Sequence, residues 1–114
     1  MTDETTKDRR ERYEKIVRTV KLNCGGNMNP VAKRSSVKQT LCSHGDMQPS
    51  KFDTTLQAAS DNDDVILGGG YVTVPSSREL VTDAIEYVIE NSENPQSFVA
   101  QANAVVDKRL GEQE

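Results

Sequence analysis

The sequence predicts a mainly α-helical fold with one small β-hairpin, and two observations support this class. Apolar residues recur at helical spacing in three segments before residue 62 and in a longer stretch after residue 76. Between them, residues 64–74 read as strand, turn and strand, because β-branched or aromatic residues flank the glycines Gly68 to Gly70. The order helix, helix, helix, hairpin, helix is that of a winged helix-turn-helix, in which the hairpin is the wing.

Length and composition favour one domain with a small core. The chain has 114 residues, a hydrophobic content of 34% and a mean hydropathy of −0.68, so a second chain could complete its core. We divide it into a DNA-binding region, residues 1–75, and a C-terminal helical dimerisation region, residues 76–114. The absence of Trp argues against an aromatic platform for single strands, and no apolar run approaches the ~20 residues of a membrane span. The acidic, polar N-terminus is unlike a secretory signal, which predicts a cytoplasmic protein without a membrane partner.

The net charge of −4 conceals an uneven distribution. Residues 1–51 contain eleven Lys or Arg against six Asp or Glu, whereas residues 52–114 contain three against twelve. The basic half coincides with the predicted helix-turn-helix, so we expect that half to face phosphates and the acidic half to face solvent. The alternative interpretation is that these charges are ordinary solvated helix faces.

Helical periodicity and capping signals place the first three helices. Helix 1 is expected over residues 6–23, and Asn29 and Pro30 lie in either a third wing strand or the approach to helix 2. Helix 2 is expected to begin near Ser35 or Ser36, either of which could cap it, and helix 3 to begin near Pro49. The predicted core positions of these helices are Tyr13, Ile16, Val17, Val20, Val37, Leu41, Phe52, Leu56 and Ala59.

The C-terminal region predicts two more helices. Ser76 and Glu79 have the spacing of a capping box at the start of helix 4. Asn94 and Pro95 mark a break or a kink, with Asn94 as the cap, before helix 5. The apolar arc of helix 4 is about twice as wide as one core stripe needs, which favours packing against a second copy. The predicted dimerisation residues are Leu80, Ile85, Val88, Ile89, Phe98, Val99, Ala102 and Val106.

The candidate chemistry of helix 3 is recognition of double-stranded DNA. In a helix-turn-helix the second helix enters the major groove, and Ser50, Thr54 and Gln57 lie opposite its core side. Cations and hydroxyls around the start of helix 2 are suited to phosphates, and the hairpin turn could touch the flanking backbone. The predicted DNA-binding residues are Lys33, Arg34, Ser35, Ser36, Lys38, Ser50, Lys51, Thr54, Gln57, Gly69 and Tyr71. A polar solvent face is the alternative for helix 3.

Acidic residues crowd the same region and would repel phosphates. Either they point away from DNA, or cations lie between carboxylate and phosphate, and binding would then tolerate salt. The residues concerned are Asp46, Asp53, Asp61, Asp63 and Asp64.

No catalytic constellation is apparent, so we expect no enzyme, no small-molecule substrate and no cofactor. Cys24, Cys42 and His44 fit zinc spacing poorly and lack an obvious fourth ligand, and buried reduced thiols are the simpler interpretation. A redox switch or a metal-responsive repressor stays open as an alternative. Gly68 to Gly70 lack the Lys-Ser/Thr of a nucleotide-binding loop.

The hairpin at residues 65–72 and the helical segment at residues 79–90 carry a resemblance to a known family. Over nearly its whole length the chain resembles small haloarchaeal winged helix-turn-helix transcription regulators, related to the PadR-like group. The resemblance implies a homodimer that acts on stress-responsive promoters in a salt-rich cytoplasm. Two-fold symmetry predicts a pseudopalindromic site with half-sites about 10 bp apart, or a multiple of that. The main alternative is a winged-helix module that binds another protein and not DNA.

Overall fold

The computed structural model describes residues 6–24, 29–43 and 47–110. These residues are mainly helical, and a three-stranded antiparallel sheet accompanies the helices. The α-helices are α1 (Thr6–Leu22), α2 (Arg34–Cys42), α3 (Pro49–Asp61), α4 (Arg78–Asn91) and α5 (Gln96–Val105), and a π-helical turn (Val106–Leu110) follows α5. The strands are β1 (Ala32–Lys33), β2 (Ile66–Gly68) and β3 (Tyr71–Thr73). The predicted mainly helical class with a small hairpin is confirmed, and Asn94 and Pro95 mark a break between two helices.

The sheet has the strand order β1-β3-β2, so β3 lies in the centre. Ala32 of β1 and Leu67 of β2 are both paired with Val72. A third strand therefore precedes helix 2, but it begins at Ala32, so Asn29 and Pro30 themselves lie before the strand. Gly69 and Gly70 reverse the chain with φ angles of 60° and 85°, values that residues with a Cβ atom rarely adopt.

Two clusters of buried side chains form the core. The N-terminal cluster joins α1, α2 and α3 around residues such as Ile16 and Phe52, and both are fully buried. The C-terminal cluster joins α4, α5 and the sheet around Ile66, Val88 and Phe98. In the N-terminal cluster, Tyr13 and Val17 are only half-buried, and the other predicted core residues of the first three helices are buried. Because Ile66 packs among α4 and α5, the two predicted regions share core contacts.

The helix starts differ from the sequence predictions in their caps. Lys33 occupies the cap position of α2 and makes no side-chain cap bond, whereas the backbone N–H of Arg34 donates to the carbonyl oxygen of Gly70 at 3.0 Å. The predicted serine caps of helix 2 are wrong, because the hairpin turn lies close enough to satisfy the first amide. At α4 the cap is Ser77, whose Oγ accepts from the N–H of Leu80 at 3.1 Å. The predicted Ser76–Glu79 capping box is therefore wrong: the cap lies one residue later, and Leu80 at the third helical position has no carboxylate to complete a box.

At α5 the cap position is Pro95 and not the predicted Asn94, and no side-chain cap bond forms there. Ser92 uses its hydroxyl for a different contact, because its Oγ donates to the carbonyl oxygen of Gly69 at 2.9 Å. The connection between α4 and α5 therefore holds the hairpin turn. A Cβ atom on Gly68 would lie 2.5 Å from the backbone nitrogen of Phe98, so glycine permits this close approach. Within the three described ranges, no helix is long and apolar enough to cross a membrane.

Candidate nucleic-acid interface

The start of α2 presents a group of polar and cationic side chains. Lys33, Ser35 and Ser36 are exposed, and Arg34 and Lys38 are half-buried. The backbone bond from Arg34 to Gly70 places this group against the hairpin turn. A cleft of about 340 Å³ lies between them, and Lys33, Ser35, Gly69 and Tyr71 are among the residues that line it. Four of the predicted DNA-binding residues thus come together around one cleft.

Arg34 and Lys38 cross from α2 to α3 and pair with the same carboxylate. Lys38 Nζ lies 2.9 Å and 3.1 Å from the two carboxylate oxygens of Asp53, and Arg34 Nη2 lies 3.2 Å from one of them. The hydrogen bond from Lys38, and next the one from Arg34, hold the pKa of Asp53 below its ordinary value despite partial desolvation. The carboxylate is therefore fully ionised at neutral pH, and it neutralises part of the charge expected to face phosphates.

The outer face of α3 is polar and exposed, as the sequence predicts. Ser50, Thr54 and Gln57 are all exposed on the side away from the buried Phe52 and Leu56. Thr54 Oγ1 donates to the carbonyl oxygen of Ser50 at 3.0 Å, and Gln57 Nε2 donates to a carboxylate oxygen of Asp61 at 3.0 Å. These bonds are local and solvent-accessible, so a base edge could replace them at little cost.

On its other side, away from α2, the hairpin turn is held by α4 and by the connection between α4 and α5. The Tyr71 ring packs edge-to-face on Tyr87 of α4, with the ring centres 5.7 Å apart and the ring planes at 80°. Ser92 binds the Gly69 carbonyl, as described above. Gly70 is exposed, with open space where a Cβ atom would lie. Gly70, which is not among the predicted DNA-binding residues, is therefore the more exposed of the two turn residues.

Four of the five aspartates in this region have partners within the protein. Asp53 binds Arg34 and Lys38, and Asp61 accepts from Gln57. Asp63 pairs with Lys108 at 3.6 Å, and Asp64 accepts from Tyr13 and pairs with Arg109 at 3.4 Å. Burial, and secondly the bond to Asp64, raise the pKa of the Tyr13 hydroxyl. Asp46 lies outside the described residues. Internal pairing is therefore a third way to accommodate these carboxylates, beside orientation away from DNA and bridging cations.

Two cations of α1 that were not among the predicted DNA-binding residues lie near the start of α3. Arg12 and Lys15 line a cleft of about 430 Å³ together with Lys51, and Asp8 and Glu11 line it as well. Helix α1 contains seven Lys or Arg between residues 7 and 21. This high density of cations is the sequence signal that could have identified Arg12 and Lys15. Helical spacing alone does not show which of the seven cations approach α3.

The two cysteines, Cys24 and Cys42, are free thiols in different parts of the fold. Cys24 follows α1, and its S–H lies 3.8 Å from the Val72 carbonyl oxygen as a weak donor. Burial raises the pKa of the Cys24 thiol, so little thiolate exists at neutral pH. Cys42 ends α2 and is half-buried. Among the described residues no group of three or more His, Cys, Asp or Glu side chains is arranged for a metal, and His44 lies outside them.

The predicted dimerisation residues divide into three sets by exposure. Val88, Phe98 and Ala102 have no exposed surface in the single chain, because they pack in the C-terminal cluster. Side chains without accessible surface cannot contact a second copy, so these three belong to the core, and their prediction as contact residues is corrected. Ile89 is 54% exposed. The remaining predicted residues are half-buried, and these are Leu80, Ile85, Val99 and Val106.

No protein-family model, no curated protein and no solved structure matches this chain.

Proposed function

We propose that this chain is a sequence-specific, double-stranded DNA-binding transcription regulator with a winged helix-turn-helix fold. The observation that carries the proposal is the position of Arg34. Its backbone N–H binds Gly70 of the hairpin turn, and its guanidinium binds Asp53 of α3. The hairpin turn, the start of α2 and the polar face of α3 therefore form one continuous surface, as a duplex-binding winged helix requires.

The surface divides into two kinds of contact. On α3, Ser50, Thr54 and Gln57 would face base edges in the major groove, where Gln can pair with adenine in a bidentate manner. The start of α2 and Lys51 would bind phosphates, and the hairpin turn would contact the flanking DNA backbone. Arg12 and Lys15 extend this basic surface beside Lys51. The resemblance to haloarchaeal PadR-like regulators supports the same assignment, with a cytoplasmic location and a role in stress response.

The proposal is tested by fluorescence-anisotropy binding of the full chain to duplexes selected from a randomised library. A scrambled duplex of the same composition serves as the reference, and KCl is varied from low to multimolar concentration. Tighter binding of the selected duplex supports a regulator. Equal affinity for both duplexes, or no binding at any salt concentration, would reject sequence-specific recognition.

Replacing Gln57 with alanine is expected to reduce discrimination between the selected and scrambled duplexes by about 1–3 kcal/mol, while non-specific affinity changes little. The reason is that an amide contact to a base edge contributes only at the correct base. Gln96→Ala, which removes an exposed amide at the start of α5, is the matched control and should leave discrimination unchanged. Equal effects of the two substitutions would remove Gln57 from the proposed recognition surface.

The proposed regulator is a homodimer that uses the exposed apolar side of α4. Ile85 and Ile89 lie one helical turn apart, and Ile89 exposes more than half of its surface. We expect Ile89→Glu to convert the dimer to a monomer in multi-angle light scattering, because a buried unpaired carboxylate strongly opposes association. Leu22→Glu places the same charge on α1 and should remain dimeric. A dimer that survives Ile89→Glu would show that the interface lies elsewhere.

A protein-interaction module is the second candidate, and one observation favours it. Asp53 neutralises part of the cationic surface of α2, while α4 presents exposed acidic side chains. Those side chains are Glu79, Asp83, Glu86 and Glu90. Failure to bind any duplex in the anisotropy experiment would favour this candidate.

A further inference from the structure

Asp53 occupies an unexpected place for a carboxylate. It lies on α3 one helical turn from both Ser50 and Gln57, so it borders the face proposed to read DNA. It is 42% exposed, and so it is neither buried in the core nor directed away from solvent. Both of its oxygens accept from cations of α2, with the distances given above.

The two cations remain accessible to a ligand while they bind Asp53. The side chain of Arg34 is 39% exposed and that of Lys38 is 35% exposed. A phosphate that approaches them meets two positive charges and one negative charge. It must either displace the carboxylate or accept a weakened attraction. The side chain of Lys33, the residue that precedes Arg34, makes no hydrogen bond or ion pair within the part of the chain that the structure describes.

We propose that Asp53 competes with the DNA backbone for Arg34 and Lys38, and that it thereby lowers duplex affinity and flattens its salt dependence. This inference rests on the proposed function, and it assigns a regulating residue to the same surface. Added salt screens the contacts to DNA, but it also loosens the two internal ion pairs. The cations released from Asp53 then offset part of the affinity that salt removes, so the protein retains binding in concentrated salt.

The test measures the affinity of Asp53→Asn for the selected and scrambled duplexes over the full range of KCl. At low salt we expect both duplexes to bind about 2- to 25-fold tighter, because each exposed ion pair is worth up to about a factor of five. Discrimination between the duplexes should not change, since phosphate contacts do not read sequence. The plot of log K against log salt should steepen by up to about 1.8, or about 0.9 for each released cation.

Asp83→Asn is the matched control, because it makes the same change in net charge at an exposed position of α4. An equal gain in affinity for this variant would assign the effect to net charge and overturn the role of Asp53. Affinity and salt slope that stay at wild-type values in Asp53→Asn would also overturn it, while duplex binding itself stands. If the wild-type chain binds no duplex at all, the proposed function fails and this inference fails with it.

A second comparison covers the case in which Asp53→Asn does not fold, which circular dichroism would reveal. In the otherwise wild-type chain, Lys38→Gln should weaken binding less than about 2-fold, because Asp53 already holds Lys38. Lys33→Gln should weaken binding more, since Lys33 has no competing carboxylate. Equal losses for the two variants would overturn the proposal. If Asp53→Asn folds, Lys38→Gln in that background should cost about 5-fold, which measures the coupling directly.

Discussion

Replacing Phe98 with alanine is expected to lower the free energy of unfolding by about 3–5 kcal/mol. Phe98 is fully buried where α5 meets the hairpin, and the backbone of Gly68 lies too close to Phe98 for a Cβ atom to fit between them. The surrounding strands and helices cannot collapse into the vacated volume without moving the hairpin. Urea denaturation followed by circular dichroism measures the change.

Leu22→Ala is the control for this substitution, because Leu22 is 73% exposed at the end of α1 and its truncation should change stability by no more than about 0.5 kcal/mol. The experiment also distinguishes between Phe98 as a core residue and Phe98 as a dimer contact. Truncation of a core residue lowers stability at every protein concentration. Loss of a dimer contact would lower it only at concentrations where the wild-type chain is dimeric, and the effect would vanish in dilute solution, where both proteins are monomers. Loss of dimerisation with unchanged monomer stability would restore the sequence-based assignment.

Replacing Gln101 with leucine is expected to lower the free energy of unfolding by about 2–4 kcal/mol, because it leaves several half-buried backbone groups without partners. Gln101 Oε1 accepts from the Leu67 N–H at 3.0 Å and from Ser60 Oγ at 3.1 Å. Its Nε2 donates to the carbonyl oxygens of Ser60 and Val65 at 2.9 Å and 3.0 Å. This one amide thus joins α5 to the end of α3 and to the start of the hairpin.

Asn103→Leu is the matched control for Gln101→Leu. It also replaces an amide with leucine on α5, but at an exposed position, so the same denaturation experiment should show a change within about 0.5 kcal/mol. If both variants are equally stable, the four hydrogen bonds contribute little, and packing alone would hold α5 against the hairpin.

Periodicity made the helices and most of the core predictable from the sequence. Phe52, Leu56 and Ala59 repeat at helical spacing, and that repeat also identified Ser50, Thr54 and Gln57 as the opposite, exposed face. The hairpin was predictable because β-branched and aromatic residues flank three glycines, and glycine adopts the positive φ angles of a tight turn without strain.

Contacts between elements were not predictable, because they depend on how helices cross. The bond from the Arg34 amide to Gly70 replaces a serine cap that the sequence favoured. The carboxylate of Asp53 contacts α2 only because α3 packs against α2. The wide apolar arc of α4 favoured packing against a second copy. Val88 and Phe98 show that α5 of the same chain covers one side of this arc, and the sequence could not distinguish these two packing partners.

The bond between the Arg34 amide and the Gly70 carbonyl has a consequence for how the protein opens. The two residues are far apart in sequence, yet one supplies the first amide of α2 and the other the last residue of the hairpin turn. Fraying of the first turn of α2 and opening of the hairpin are therefore one cooperative event and not two independent local fluctuations. Amide hydrogen exchange at the start of α2 would then report on the hairpin, in contrast to the rapid exchange usual for the first turn of a helix.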